Sequence, residues 1–459
     1  MPGSIFKAIC LSLIALIHLL PIEPVAAADR PNIVFILTDD QRWDSLGCMG
    51  NEIIQTPAID KLSREGVTFE NMFCTTSICA VSRATYMTGQ YARRHGINDF
   101  RTSYTPEQLD NSFPMQLRDN GYRTGMIGKW GIGGKLPVDR YDYWKGFPGQ
   151  SKYFPNGPQG ASQHLTEIMR DQSLEFLDGC SEEQPFMLQL YSKAAHCQDG
   201  DPWPFQPDPK YNSMYSDLEI PAPPLASEDQ FNRLPEFLKT SEARTRWHVR
   251  FENPALFQKS IKDYYRLIAG LDETVAAIRK KLEEKGFAEN TVIIYTSDNG
   301  FYLGDRGLAG KWYMHEESIR LPLIIFDPRL PERDRNKRRS EMVLNIDISP
   351  TIFDLAGLPI PAKVQGKSLL PLLKHGDPSW RNSFVYEHRV PIKTIPESEG
   401  LRTKRWSYVR YVETDPPTEQ LFDLEADPLE ENDLAVLPDM QPLLNRFRNA
   451  LDQEISEIE

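Results

Sequence analysis

The sequence predicts an α/β fold followed by a smaller α+β subdomain, and three features of the chain support this expectation. Two short apolar runs, at 33–37 and 292–295, have the continuous hydrophobicity of strands that are buried on both faces. A long amphipathic pattern precedes the second run, as expected for a helix that packs against a sheet. From about residue 360 the pattern changes to short strands and turns, which predicts the separate C-terminal subdomain.

The first strand is predicted to end at Thr38, Asp39 and Asp40, and further strands are predicted over 184–192 and 321–327. The helix before 292–295 carries apolar residues at gaps of three and four, and Gly286 suits its C-terminal cap. Its apolar stripe consists of Ile261, Tyr264, Ile268, Leu271, Val275, Ile278 and Leu282. In the last hundred residues, 402–413 and 419–428 predict short strands and turns, and 440–458 predicts a closing helix. The basic run 333–340 predicts a solvated loop.

The N-terminal segment, residues 1–28, has the pattern of a signal peptide. One lysine precedes an apolar run from Ala8 to Leu20, and Ala26, Ala27 and Ala28 offer small residues for cleavage. The apolar run is short for a membrane span, although an uncleaved anchor is the alternative. We therefore expect an exported protein, periplasmic or secreted, without stable membrane insertion. The predicted units are a main domain over 29–358 and a C-terminal subdomain over 359–459.

Charge and cysteine content restrict the functional class. The 459 residues carry a formal net charge of −13, which argues against nucleic acid as a partner, whereas a local cationic pocket would still admit an anionic substrate. Removal of the signal peptide leaves five cysteines: Cys48, Cys74, Cys79, Cys180 and Cys197. An odd number in an exported protein suggests that one thiol has a different role. If that thiol is Cys79, the other four allow three disulfide pairings.

Acidic residues follow the two buried strands. Asp39 and Asp40 come after the first strand, and Asp298 and Asn299 after the second. Ligands of open α/β sheets bind beyond the carboxyl ends of strands, where converging carboxylates would repel one another without a cation. Oxygen ligands of this kind suit Ca²⁺ or Mg²⁺. Each pair taken alone is also typical of a turn or a helix cap.

Cys79 precedes a segment that is predicted to begin a helix. The free N–H groups and the dipole at a helix N-terminus favour an anion there. Arg83, four residues on, is placed to turn back toward Cys79. This environment would activate a cysteine or bind an oxyanion. A disulfide with Cys74 and burial as a small apolar residue are the alternatives.

Further cationic residues stand near strand ends. Lys129 and Lys311 each lie in a glycine-rich Gly-Lys-Trp setting, whereas a single lysine is usually solvated surface. His196 follows the strand predicted over 184–192, and Lys193 precedes it; an isolated histidine is more often structural than catalytic. The parallel settings of the two lysines favour a functional interpretation.

Together these segments resemble those of the type I sulfatases of the alkaline-phosphatase superfamily. The matching blocks include "NIVFILTDDQRWDSLGCMGN", "CAVSRATYMTGQYARRHGI", "GYRTGMIGKW", "YSKAAH", "TVIIYTSDNGFYLGDRGLAGKW" and "LFDLEADPLEENDLA", in the family's order. They extend over about residues 30–436, and the Cys-x-x-Ser-Arg and Ser-Asp-Asn-Gly blocks are the specific ones. The resemblance implies a large mixed, mostly parallel sheet between helices in a catalytic domain over 29–358. It also implies an antiparallel sheet in the C-terminal subdomain.

The resemblance also implies the roles of the site residues. Cys79 would be converted to formylglycine by a maturation enzyme, and its hydrated aldehyde would supply the nucleophile. Asp39, Asp40, Asp298 and Asn299, with that oxygen, would hold Ca²⁺ in preference to Mg²⁺. Arg83 would orient the hydrate, and the sulfate would be contacted by Lys129, His196 and Lys311. His196 or Lys311 would protonate the leaving alcohol.

Three positions depart from the family's usual pattern. Val81 stands where proline is usual, which brings efficient conversion of Cys79 into question. Gly131 stands where a histidine usually helps to handle the formylglycine hydroxyl. Ala195 replaces a proline, a change that we expect to be mild.

The expected substrate is a sulfated carbohydrate or polysaccharide, because "YSKAAH" is similar to the corresponding block of sulfatases that act on sugars. Aromatic residues in 141–154 and 202–217 would stack on sugar rings or, alternatively, pack within their own domain. Lys193 would reach a sugar carboxylate or a second sulfate, or lie at the rim. The competing hypotheses are a phosphoester or phosphonate hydrolase of the same superfamily and a catalytically impaired glycan-binding relative.

Overall fold

The computed structural model describes residues 30–157 and 162–459 and confirms the predicted α/β class. The predicted signal peptide and Cys10 lie outside the described residues. Within the described ranges, no helix is long and apolar enough to cross a membrane.

Strands and helices are interspersed along the first three quarters of the described chain. The strands are β1 (Asn32–Thr38), β2 (Val67–Phe73), β3 (Arg123–Lys129), β4 (Tyr143–Phe147), β5 (Phe186–Tyr191), β6 (Thr291–Ser297), β7 (Tyr302–Leu303), β8 (Ala309–Gly310), β9 (Arg320–Phe326), β10 (Lys337–Leu344), β11 (Ser383–His388), β12 (Ser398–Thr403), β13 (Trp406–Tyr411) and β14 (Thr418–Asp423). The α-helices are α1 (Pro57–Glu65), α2 (Cys79–Thr88), α3 (Ala92–His95), α4 (Pro106–Asp110), α5 (Phe113–Asp119), α6 (Leu165–Asp178), α7 (Glu228–Asn232), α8 (Glu236–Lys239), α9 (Glu242–Arg250), α10 (Pro254–Glu284), α11 (Glu316–Ile319), α12 (Ile348–Leu355), α13 (Leu370–Lys374) and α14 (Gln441–Ile458).

The large sheet has the order β10-β2-β9-β6-β1-β5-β3-β4. Its strands run parallel except β9, which pairs antiparallel with both β6 and β2. The central strand β1 pairs in parallel with β6 on one side and β5 on the other. The carboxyl ends of β1, β5 and β6 therefore meet at one edge of the sheet, where ligands bind in folds of this type.

Hydrophobic cores lie on both faces of this sheet, which explains the continuous apolar sequence of β1. Ile33, Phe35 and Leu37 belong to one core, whereas Val34 and Ile36 point to the opposite one. Successive strand residues alternate between faces, so a strand covered on both sides needs apolar residues at every position. The predicted helix stripe packs into the second core as part of α10.

The C-terminal region forms the antiparallel sheet β11-β12-β13-β14, as predicted. Buried residues of this sheet and of α14 belong to the same core as one face of the large sheet. The segment 402–413, predicted to contain short strands and turns, holds the end of β12, a tight turn and all of β13. The division at residues 358 and 359 remains a prediction.

Of two local predictions, the structure confirms one, the helix end at Gly286, and contradicts part of the other, the loop over 333–340. Gly286 follows α10 with a φ of +76°, as expected for the residue after a helix end. The prediction of a loop over 333–340 is wrong for its second half, because Lys337 begins edge strand β10. The pairing of β10 with β2 satisfies the backbone while the basic side chains stay largely exposed, so polarity alone did not reveal the strand.

Candidate active site

The acidic residues that follow β1 and β6 converge. Thr38 and Ser297 are register partners, so Asp39 and Asp298 leave adjacent strand ends. The backbone N–H of Asp40 donates to Asp298 Oδ1 at 3.3 Å. The amide nitrogen of Asn299 donates to Asp40 Oδ1 at 2.6 Å. The structure therefore brings together the four residues that the sequence singled out as metal ligands.

The backbone of Asp40 is held in a left-handed conformation, with a φ of +57°. Tyr264, on α10, donates its hydroxyl hydrogen to Asp40 O at 2.9 Å and accepts the N–H of Arg42 at 3.0 Å. This conformation is uncommon for a non-glycine residue and needs support from its surroundings. Sequence reasoning placed Tyr264 in an apolar stripe, and only its hydroxyl group hinted at this second role.

Cys79 is the first residue of α2, with 2 % of its surface exposed. Lys311 Nζ donates to Cys79 Sγ at 3.1 Å. Burial and the Asp39 carboxylate raise the pKa of the Cys79 thiol to about 11, and the nearby Lys129 and Lys311 offset this only in part. An unmodified Cys79 is therefore a thiol at neutral pH, and a thiol is a poor nucleophile.

All five cysteines among the described residues are free. The alternative of a disulfide between Cys74 and Cys79 is therefore wrong for this structure, and Cys74 is instead buried in the core.

Arg83, one turn along α2, lies completely buried between the acidic strand ends. Its Nε and Nη2 approach Asp298 Oδ2 at 2.9 and 2.8 Å, and Nη2 lies 3.3 Å from Asp39 Oδ2. Its Nη1 donates to Lys129 O at 2.8 Å. Arg83 therefore ties the end of β3 to the ends of β1 and β6.

Two lysines complete the charge balance. Lys129 Nζ contacts Asp39 Oδ2, and Lys311 Nζ contacts Asp40 Oδ1. Burial alone would raise the pKa of Asp39, but the charges of Lys129, His196, Arg83 and Lys311 outweigh it and hold that pKa well below its usual range. Burial would lower the pKa of Lys311, but Asp40 holds it well above its usual value, so Lys311 keeps its proton.

His196 follows β5 and contacts Asp40, one of the same group of carboxylates. Its Nε2 is 3.4 Å from Asp40 Oδ2, and its Nδ1 is hydrogen-bonded to Cys197 O. Burial lowers the pKa of His196 to about 4, although Asp40 and Asp39 act in the opposite direction. The imidazole of His196 is therefore neutral at pH 7 in this structure.

Lys193 is turned toward a neighbouring loop. Its Nζ donates to Ser151 O at 2.6 Å and lies 4.5 Å from the centre of the Tyr153 ring. Burial lowers the pKa of Lys193 to about 8. The contact of Lys193 with a substrate remains a prediction.

The three residues that depart from the family pattern, Gly131, Val81 and Ala195, each have a different structural environment. Gly131 has a φ of +74°, and a Cβ there would lie 3.0 Å from Arg83 Cδ. Val81 is fully buried in the first turn of α2. Ala195 donates its N–H to Asp39 O at 2.8 Å, a bond that proline could not make.

The oxygen atoms of this site fit a divalent cation. Asp39 Oδ1 and Asn299 Oδ1 are buried and have no hydrogen-bond partner among the described residues. Ligand atoms of Asp39, Asp40, Cys79 and His196 all lie within 4.8 Å of one another. Buried oxygens without partners are costly, and coordination of a hard cation would satisfy them.

At the carboxyl edge of the α/β sheet, buried carboxylates, three cationic side chains and a helix-terminal cysteine form a site that suits the chemistry of anionic esters. The chain belongs to the sulfatase family, whose sequence profile matches residues 31–358. A second profile, of the N-sulphoglucosamine sulphohydrolase C-terminal region, matches residues 304–457. The protein is therefore a sulfuric ester hydrolase.

The chain is similar to N-acetylglucosamine-6-O-sulfatase of Bacteroides thetaiotaomicron, with 27% identity across 88% of this chain and 82% of the relative. It is 26% identical to the arylsulfatase of Clostridium perfringens, across 93% and 94% of the two chains.

Solved structures show the same fold. One is a protein in complex with its substrate D-glucosamine-2-N,6-O-disulfate, with a TM-score of 0.79 and 25% identity over 94% of this chain and 98% of that chain. The phosphonate monoester hydrolase of Agrobacterium radiobacter has a TM-score of 0.78 with 21% identity, covering 94% and 96% of the two chains. At that identity the second comparison concerns the fold alone.

Proposed function

We propose that this protein hydrolyses sulfate monoesters on a sulfated carbohydrate, with a formylglycine derived from Cys79 as its nucleophile. The observation that carries the proposal is the position of Cys79, a protonated thiol in contact with Lys311 and beside the buried carboxylates. Relatives named for N-acetylglucosamine 6-sulfate and for ulvan support a carbohydrate substrate. We take 6-O-sulfated N-acetylglucosamine as the first substrate to test.

Formylglycine would supply, through its hydrated aldehyde, one hydroxyl oxygen to attack sulfur and a second hydroxyl whose deprotonation allows sulfate to leave. A serine at the same position would need an external water for the second step. This difference gives the conversion of Cys79 a chemical purpose that the unmodified thiol does not serve.

A divalent cation would be held by Asp39, Asp40, Asp298 and Asn299 together with the side-chain oxygen at position 79, and we propose Ca²⁺. When bound, the cation would supply positive charge to the sulfate oxygens. The support for it is the donor set itself, since carboxylate and amide oxygens are the ligands that Ca²⁺ prefers.

The cationic side chains would bind and orient the ester. Lys129 and Lys311 approach the site from two sides, and we assign to both the neutralisation of sulfate oxygens. Arg83 would orient the hydrate, because its guanidinium is already fixed by three protein partners. Preorganised charges of this kind stabilise the transition state without reorganisation.

The leaving alcohol needs a proton, and His196 and Lys311 are the two candidates. Lys311 carries its proton in this structure, whereas the His196 ring is neutral. A sugar is a poorer leaving group than 4-nitrophenol, so loss of the proton donor should be more damaging with a sugar sulfate than with 4-nitrophenyl sulfate. Comparing His196→Ala and Lys311→Ala on both substrates assigns the role.

Substrate binding would extend to the loops around the site. Lys193 remains our candidate for a second anionic group on the sugar. In the aromatic-rich segments, Phe205 and Tyr215 are buried, whereas Trp203 is 54% exposed and is our candidate to stack on a sugar ring.

Mass spectrometry of the peptide that contains Cys79 tests the proposal directly. We expect formylglycine at position 79 after co-expression with a competent maturation enzyme, together with sulfate release from N-acetylglucosamine 6-sulfate. Cys79→Ala should abolish release, whereas Cys180→Ala, a matched change of another buried cysteine, should leave it intact. Unmodified thiol alone, or undiminished activity of Cys79→Ala, would refute the mechanism. Release of phosphate but not sulfate would favour the phosphoester alternative.

A further inference from the structure

Gln150 lies in the loop after β4 and places its side-chain amide directly on His196. Gln150 Nε2 is 3.2 Å from His196 Nε2. None of the roles assigned above uses this residue. Nothing in its local sequence, Pro-Gly-Gln-Ser, suggests a function. The contact exists because the loop folds back over the end of β5.

The side-chain amide of Gln150 has its NH₂ group against the imidazole of His196, because Gln150 Nε2 is the atom within hydrogen-bond distance of His196 Nε2. The other ring nitrogen, Nδ1, is bonded to Cys197 O. The amide oxygen Oε1 of Gln150 is therefore not used by His196.

Gln150 Oε1 is buried and has no hydrogen-bond partner among the described residues. A buried acceptor left unpaired is costly, and a hydrogen-bond donor of a bound substrate would satisfy it. Its neighbour His196 is 3.4 Å from Asp40 Oδ2. Gln150 therefore contacts a residue that in turn contacts the Asp40 carboxylate of the site.

The loop that carries Gln150 is fastened to the segment after β5. Lys193 Nζ donates to Ser151 O at 2.6 Å, and the Tyr153 hydroxyl donates to His196 O at 2.7 Å. The Tyr153 N–H donates to Gln198 Oε1 at 3.1 Å. These bonds hold Gln150 in place before substrate arrives, as a binding group requires.

We propose that Gln150 is a specificity-determining residue, whose Oε1 accepts a hydrogen bond from a hydroxyl or N–H group of the sugar next to the sulfate ester. This inference rests on the proposed sulfatase function. It adds a selection among sulfate esters: an alcohol that carries a hydrogen-bond donor near the ester is favoured over a simple aryl alcohol. Sites built to hydrogen-bond a substrate reject analogues that lack the matching group.

The test compares two substrates, N-acetylglucosamine 6-sulfate and 4-nitrophenyl sulfate, with the mature full-length enzyme. Gln150→Leu keeps much of the side-chain volume and removes the acceptor. We expect kcat/KM for the sugar sulfate to fall by about 10- to 100-fold, the effect of one lost hydrogen bond. For 4-nitrophenyl sulfate, kcat/KM should change by less than about threefold, because that alcohol offers no donor.

Two further variants serve as controls. Gln150→Glu keeps an acceptor oxygen, so the ratio of sugar to aryl activity should stay near that of the wild type even if both activities change. Lys152→Ala alters an exposed residue of the same loop and should leave both activities unchanged.

An equal loss on both substrates in Gln150→Leu would overturn the inference, because it would mean a general effect on the loop. A similar loss with a simple alkyl sulfate, whose alcohol is a poor leaving group but offers no hydrogen-bond donor, would also overturn it, because Gln150 would then act through proton donation by His196. Unchanged activity on all substrates would overturn it as well. If the wild type releases no sulfate from any of these substrates, the proposed function itself fails, and this result is distinguishable because the others require an active wild-type enzyme.

Discussion

Replacing Arg83 by methionine should destabilise the protein strongly when divalent cations are absent. In the structure three buried carboxylates, Asp39, Asp40 and Asp298, face three cations. Lys129 pairs with Asp39 and Lys311 pairs with Asp40. Among the described residues, Arg83 makes the only ion pair of Asp298. The substitution therefore leaves one buried carboxylate without a counter-charge.

The expected loss follows from that unpaired charge. Removing one partner of a buried ion pair typically costs about 3–5 kcal/mol. Asp298 can reduce the cost by taking up a proton, since burial and the Asp39 carboxylate already raise its pKa to about 6. Without Arg83 this pKa rises further, so the loss should be smaller at pH 5 than at pH 8.

Denaturant unfolding in chelator, at pH 5 and pH 8, measures this loss. Arg338→Met is the control, because Arg338 pairs with Glu70 at the surface, with side chains 48% and 36% exposed. It should cost less than about 1 kcal/mol. Repeating the series in Ca²⁺ should reduce the Arg83→Met loss if the cation binds these carboxylates. Losses that are equal for the two variants, or independent of pH, would refute the reasoning.

Three other predictions concern single positions. Lys311→Ala should lower kcat/KM for the sugar sulfate by about 100- to 1,000-fold; unchanged steady-state kinetics would remove Lys311 from the site. Gly131→Ala should cost about 1–2 kcal/mol in urea unfolding, because its left-handed φ and its contact with Arg83 both disfavour a Cβ; an unchanged midpoint would contradict this. Burial raises the pKa of Glu430 to about 8 against the opposing charge of Arg306. The folded state thus holds the proton of the Glu430 carboxyl group more tightly than the unfolded state, so the free energy of unfolding should fall as pH rises from about 4.5 to about 8. Glu430→Gln should flatten this decline, as measured by thermal unfolding across that pH range.

The fold was predictable to a large extent because hydrophobic periodicity is a local signal. The run 33–37 had to be a strand covered on both faces, and the structure places its residues alternately in two cores. The second half of the segment 333–340 was predicted incorrectly because an edge strand can keep polar side chains in solvent. Its identity as a strand comes from backbone pairing with β2, which a distant part of the chain provides.

The candidate site was predictable where chemistry clusters at strand ends. Asp39, Asp40, Asp298 and Asn299 were singled out because two buried strands end in acidic residues, and parallel pairing of those strands explains why they meet. Gln150 gave no such signal, because its importance depends on a loop that folds back onto His196. Tyr264 was assigned to a core although its hydroxyl also supports Asp40.

By itself, the sequence determined the residue types of the site, the strands that carry them and the family to which the chain belongs. These features are encoded locally, in periodicity, spacing and short motifs. Tertiary structure alone decided which charges neutralise one another, which way Lys193 turns and which oxygens are left without partners. These properties arise from contacts between residues as many as 271 positions apart, such as Asp40 and Lys311, and no local pattern contains them.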